Sequence, residues 1–109
     1  MSDEETRLKM AGKWKCVEEY EEEGSKYTYI EVLRFSKSGK YSGFSETLKN
    51  GMSVGYEKFR GGYSIKGDRI TWEPAGEESW NDYVKVSYQT LIFTDDEGVS
   101  MRYIKISRR

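Results

Sequence analysis

The sequence has no histidine, one cysteine and one proline in 109 residues. The missing histidine removes the commonest general base and the commonest metal ligand together. A lone Cys16 can form neither an internal disulfide nor a thiolate metal cluster. Ser-His-Asp and Cys-His catalysis and the zinc deaminase site are therefore excluded. No window approaches 18 apolar residues, so no membrane-spanning helix is expected. Neither sign of charge dominates: 18 basic against 19 acidic side chains leave a net charge of -1. That balance gives no bulk attraction for nucleic acid or anionic lipid. The opening MSDEETRLKM is acidic and lacks the apolar stretch of a signal peptide. With the single thiol, this makes a reducing cytoplasm the expected location. No cofactor, no metal and no membrane partner are expected.

Aromatic residues are abundant at 15%, with nine Tyr, and 11 Gly punctuate the chain. Aromatic and β-branched runs broken by glycine turns favour strands. The reading is a single domain over 1–109. Residues 1–10 form a short helical or disordered segment and 12–107 form a barrel. Ser2 is placed to cap a helix carrying Asp3, Glu4 and Glu5 in its first turn. Leu8 and Met10 would then cover one mouth of the barrel.

Strands are expected from Lys13 to about Glu22, Lys26 to Phe35, Tyr41 to Leu48 and Ser53 to Arg60. Gly61-Gly62 is read as a break before Tyr63 and Ile65. Further strands cover Arg69 to Trp72, Trp80 to Tyr88, Thr90 to Thr94 and Val99 to Ile106. Asn50-Gly51 is the strongest two-residue turn signal. Hairpins in series leave two edges exposed unless they close. The expected fold is all-β, an antiparallel up-and-down β-barrel of about eight short strands. Trp14, Leu33, Phe35, Tyr41, Tyr63, Ile65, Trp72 and Val84 should point mainly inward.

Gly12-Lys13-Trp14-Lys15 resembles the Gly-x-Trp signature that opens lipocalins and fatty-acid-binding proteins. Two later pieces resemble small bacterial lipocalin-like domains. One runs from Leu33 through the Ser38-Gly39 turn to Tyr41, the other from Gly62 through Gly67-Asp68 to Trp72. The resemblance implies that Trp14 packs at the closed end with a late basic residue over it. Arg102 is the best match for that residue and Arg108 the alternative. Trp14 and Trp72 are then structural. The Arg-x-Tyr carboxylate clamp of fatty-acid binders does not carry over. Here Arg102 and Tyr103 are adjacent, and adjacent strand residues face opposite sides.

The resemblance implies a binding barrel whose ligand enters the end opposite Trp14. Tyr20, Tyr29, Tyr41 and Tyr88 are the aromatic candidates for the mouth, and Glu18 and Arg102 the polar ones. Glu18 shares a strand face with Trp14 and needs a partner if that face is interior. Arg34, Arg60 or Arg69 could supply it, or Glu18 could lie at the rim. Glu19, Glu21, Glu22 and Glu23 read as a solvated edge that discourages pairing with another chain.

Asp95-Asp96-Glu97-Gly98 lacks the spacing of an EF-hand and reads as a turn. Gly61-Gly62 is followed by no helix and offers no phosphate cradle. Two readings of function stay open. The first is a non-enzymatic barrel for a small hydrophobic or aromatic ligand. The second is a filled barrel that contacts a protein partner or a second copy of itself, as an inhibitor or immunity-like adaptor does. An enzyme ranks behind both. So does a single-stranded nucleic-acid binder using Tyr56, Lys58, Phe59 and Arg60.

Overall fold

The computed structural model describes residues 2–108. One helix precedes eight strands: α1 (Asp3–Met10), β1 (Gly12–Glu22), β2 (Ser25–Phe35), β3 (Lys40–Lys49), β4 (Met52–Lys66), β5 (Arg69–Pro74), β6 (Trp80–Val86), β7 (Thr90–Thr94) and β8 (Ser100–Ser107). Each strand pairs antiparallel with the next, and β8 returns to β1 to close the barrel.

Helix α1 forms because Ser2 caps it. The Ser2 hydroxyl accepts from the Glu5 amide at 3.1 Å, and three acids occupy the positive first turn. The Asp3 carboxylate accepts from the Gly67 amide at 2.9 Å and fastens the helix to the β4–β5 turn. Met10 is fully buried and covers this end of the barrel. Leu8, expected to share that task, points to solvent.

Alternating positions fill the core. Trp14, Leu33, Phe35, Tyr41, Tyr63, Trp72 and Val84 are all buried, while Ile65 packs against their edge and is only partly covered. The centre is aromatic. Phe35 meets Tyr63 edge-on at 5.2 Å, and Trp72 meets Tyr41 at 4.9 Å and Phe93 at 5.0 Å in the same way. Such edge-to-face pairs bring the positive ring rim to the negative ring face.

Two expectations about the strands are corrected. Gly61-Gly62 does not break the chain, because β4 runs unbroken through both. Gly61 is instead a position of close approach, as Gly43 is on β3. A Cβ there would lie 2.4 Å from the Glu73 carbonyl oxygen and 2.7 Å from the Pro74 Cα. The sixth strand ends at Val86 and not at Tyr88, since the Ser87 amide turns to bond the Thr90 carbonyl at 2.8 Å. The Asn50-Gly51 turn is as expected, with φ of 50° and 85°. Positive φ at both central residues is what a type I′ hairpin demands.

The strands differ in length, and this shapes the molecule. β1–β2 pairing extends from Gly12 to Glu22, and β3–β4 pairing reaches Met52. In contrast, β1 pairs β8 only over Lys13–Lys15, and β4 pairs β5 only over Gly61–Lys66. The outer halves of β1 to β4 therefore project past the barrel as a four-stranded sheet. The extents are 46 × 30 × 30 Å and the radius of gyration is 14.5 Å. A compact chain of this length would have a radius of about 13 Å. The accessible surface of 7393 Å² likewise exceeds the roughly 6,200 Å² of a compact chain. Glu18, Glu19, Glu21 and Glu22 lie on the stretch of β1 that pairs β2 but not β8, where like charges discourage edge pairing.

Candidate functional site

The barrel has a closed and an open end. At the closed end the Trp14 indole N–H donates to the Met10 carbonyl at 2.8 Å, which ties the first strand to the covering helix. The cation above this indole is Lys105, whose Nζ lies 5.1 Å from the ring centroid. Arg102 and Arg108 do not take that place. Tyr103 is buried inside the barrel, so Arg102 beside it faces out and Lys105, two residues on, returns to the inner phase. Arg108 stacks on Tyr88 and donates to its hydroxyl.

From the level of Leu33 toward the open end, the interior is not filled. A cavity of about 330 Å³ is lined by side chains from every strand except β1. Tyr41, Phe59, Trp72, Phe93 and Tyr103 form its deep wall, and Tyr29, Trp80 and Glu77 stand nearer the opening. The projecting sheet makes one wall of the mouth taller than the other.

Two carboxylates in this cavity are held by neutral donors. The Glu31 Oε1 accepts from the Tyr29 hydroxyl at 2.7 Å, and its Oε2 accepts from the Tyr103 hydroxyl. The Asp82 Oδ2 accepts from the indole N–H of Trp72 at 2.9 Å and from that of Trp80 at 3.2 Å. The two indoles stack with centroids 6.0 Å apart. Burial pushes the Tyr103 and Tyr29 hydroxyls well above the ordinary phenol range, and the Glu31 carboxylate pushes them further. Burial also raises Tyr41, with the charge of Glu77 adding to it. These phenols therefore stay protonated and donate at neutral pH.

Of the residues singled out in the sequence, Tyr29 and Tyr41 lie on the cavity wall, and Trp72 serves both core and wall. Tyr20 sits higher on the inner face of the projecting sheet, stacked on Tyr27 at 5.2 Å. Glu18 is paired in register with Tyr29 but stands exposed on the β1 edge. It lines, with Arg102, a separate outer cleft where β1 and β8 part. None of Arg34, Arg60 and Arg69 forms an ion pair with it among the described residues. Tyr88 is exposed at the opposite, closed end, on the turn that reaches Lys105 through the Gln89 carbonyl.

Sequence reasoning missed Glu31, Glu57, Asp82 and Trp80, all of which line the cavity. A signal was present. Glu31 falls in phase between Tyr29 and Leu33, Glu57 in phase with Phe59, and Asp82 between Trp80 and Val84. An acid at the inner phase of an aromatic strand face is a polar group aimed at the interior.

The acidic turn is only a turn: the Asp95 Oδ1 accepts from the Glu97 and Val99 amides, each at 2.9 Å. No three His, Cys, Asp or Glu side chains among the described residues gather closely enough to hold a metal ion.

A crystal structure of a lipocalin-like protein from Bacteroides uniformis is similar in fold. It is 24% identical, with a TM-score of 0.60, covering 90% of this chain and 99% of that one. No curated protein matches the chain. The family model for the lipocalin-like domain matches residues 10–93, from the last residue of α1 into β7. With the Gly-x-Trp opening, the eight-stranded closed barrel and this match over most of its length, the chain belongs to the lipocalin-like domain family.

Proposed function

We propose that this protein is a non-enzymatic binding barrel that holds one small, largely aromatic or apolar molecule in the open-ended cavity. The observation that carries the reading is the cavity itself. Eight strands enclose an interior just wide enough for packed side chains or for one small ligand, and here about 330 Å³ is left unfilled between aromatic walls. Pockets of this kind combine apolar walls with a few placed polar groups that fix orientation. Tyr29, Tyr103, Trp72 and Trp80 supply the walls, and Glu31 and Asp82 the polar groups.

A titration of isotope-labelled protein with a library of small aromatic compounds tests this. Amide shifts confined to Glu31, Ser45, Phe59, Asp82 and Tyr103 are the expected result. Their absence throughout the library overturns the proposal.

A protein-contact reading is favoured by a different surface. Val17, Tyr56, Ile104 and Ile106 are each about half exposed on the outside of β1, β4 and β8. Sedimentation across a range of concentrations tests for self-association through that surface.

A further inference from the structure

We propose that the molecule this cavity accepts is an organic cation, a protonated or quaternary amine carried on a small aromatic or aliphatic body. The proposal rests on the small-ligand reading above and names the class of ligand.

The near-neutral total charge hides a division by strand phase. The charged side chains that line the cavity are Glu31, Glu57, Glu77 and Asp82, with no lysine or arginine among them. The bases of β2, β4 and β6 take the opposite phase, and Arg34, Lys58 and Arg60 line a groove on the outer surface. The inner-phase Lys105 and Lys49 lie outside the cavity, over Trp14 at the closed end and over Tyr27 on the projecting sheet. A carboxylate ligand would meet four like charges and no counter-charge. Arg102, the basic candidate named from the sequence, faces out.

The hydrogen bonds in the cavity orient its carboxylates without neutralising them. Both oxygens of Glu31 accept from phenols, and one oxygen of Asp82 accepts from two indoles. All four donors are uncharged. The ion pairs among the described residues, Lys26–Glu19 and Arg69–Asp96, leave all four cavity acids unpaired with a base. A negative charge in a partly desolvated aromatic pocket attracts a cation far more strongly than it would in water.

The spread of the acids decides between kinds of cation. They do not cluster tightly enough to ligate a metal ion. Glu31 and Asp82 instead face the cavity from β2 and β6, a placement that suits a larger cation touching more than one wall. Trp80, partly exposed and stacked on the buried Trp72, offers a ring face of the kind on which ammonium groups are held.

The test compares three probes of nearly equal size at neutral pH: 2-phenylethylamine, 2-phenylethanol and 3-phenylpropionate. Binding is read by amide shifts of the full chain. The expected result is that the amine binds at least about tenfold more tightly than either of the others. Glu31→Gln and Asp82→Asn should each weaken it about fivefold or more, whereas Glu97→Gln, on the β7–β8 turn, leaves it unchanged. Either cavity variant suffices if the other fails to fold. Equal or tighter binding of the alcohol or the propionate overturns the cation class and leaves the cavity reading standing. Cavity shifts from none of the three, at concentrations well above about 1 mM, overturn both.

Discussion

Glu31 and Tyr103 meet inside the barrel from the two sides of β1, the phenol donating to the carboxylate from a position 72 residues later in the chain. The contact joins β2 to β8, the two strands that flank β1, so it braces the wall where β1 and β8 pair only briefly. Hydrogen bonds to charged groups contribute about 1.5–3 kcal/mol. Tyr103→Phe keeps the ring and removes the donor. It should cost about 1–3 kcal/mol in urea unfolding with no change in the denaturant slope. A loss below a few tenths of a kcal/mol would show that water replaces the phenol at Glu31.

Stability should fall at alkaline pH. Burial raises the Cys16 thiol from 9.0 to about 11, helped by the charges of Glu18 and Glu31. Burial raises Tyr63 from 10.0 to about 12, and Tyr29 and Tyr103 also move upward. In every case the folded state holds its proton more tightly than the unfolded chain. Their contribution is complete below pH 9 and is lost as pH rises through the folded values. Each group ionised only in the unfolded chain adds a slope of about -1.4 kcal/mol per pH unit. Unfolding midpoints measured from pH 8 to 11 should fall with increasing steepness. A flat profile over that range contradicts the shifts.

The same burial makes the thiol inert. With its value near 11, Cys16 is about one part in a thousand thiolate at pH 8. Its reaction with a disulfide reagent should be at least about a hundredfold slower in the folded protein than in the denatured chain. Equal rates would place the thiol in solvent.

Most of the barrel was legible because strand burial has a period of two. Leu33 and Phe35, then Trp72, then Val84 fall in phase and are buried. Turn chemistry was legible at Asn50-Gly51 for the same local reason. What escaped was set by partners far away in the chain. Whether Gly61 ends a strand or lets one pass close to Pro74 depends on β5, which only the fold supplies. Tyr88 looked in phase with Val84 and Val86, but β6 runs from the mouth at Trp80 toward the closed end, and the turn at Ser87 leaves Tyr88 exposed there. The cavity acids were hidden by composition. With 19 acids in the chain, an inner-phase Glu31 reads like any solvated glutamate until Tyr103 is brought against it.

Gly61 tests the account of β4. The obstacle to a side chain there is backbone, the Glu73 carbonyl and the Pro74 Cα, with the Tyr41 ring also within 2.9 Å. Backbone paired in a barrel wall cannot swing aside as a flexible side chain can. Overpacking of this kind typically costs about 1–3 kcal/mol. Gly61→Ala should lower stability by that amount, and Gly61→Val by more. Gly55 is the control, since its nearest neighbour is the Thr47 Cβ at 4.0 Å. Gly55→Ala should change unfolding by less than about 0.5 kcal/mol. Equal effects at the two sites would refute the close-approach argument.

Trp14 should be the costliest single side chain to remove. It is fully buried, and its indole N–H is satisfied by the Met10 carbonyl at the end of α1. Truncation empties the closed end and leaves that buried carbonyl without its donor. Trp14→Ala should cost about 3–5 kcal/mol in equilibrium denaturation. Loss of the anchor should also release α1, so protease cleavage near Ala11 should quicken before global unfolding. The cation above the ring is a smaller term. Burial and the nearby Arg108 both lower the Lys105 ammonium, which offsets part of the attraction to the indole. Lys105→Met keeps the covering stem and removes the charge together with its long 3.4 Å bond to the Lys9 carbonyl. It should cost less than about 1 kcal/mol and leave α1 protected. If Lys105→Met proved as damaging as Trp14→Ala, the charge would be holding the closed end, and the assignment of that role to indole burial and the Met10 bond would be wrong.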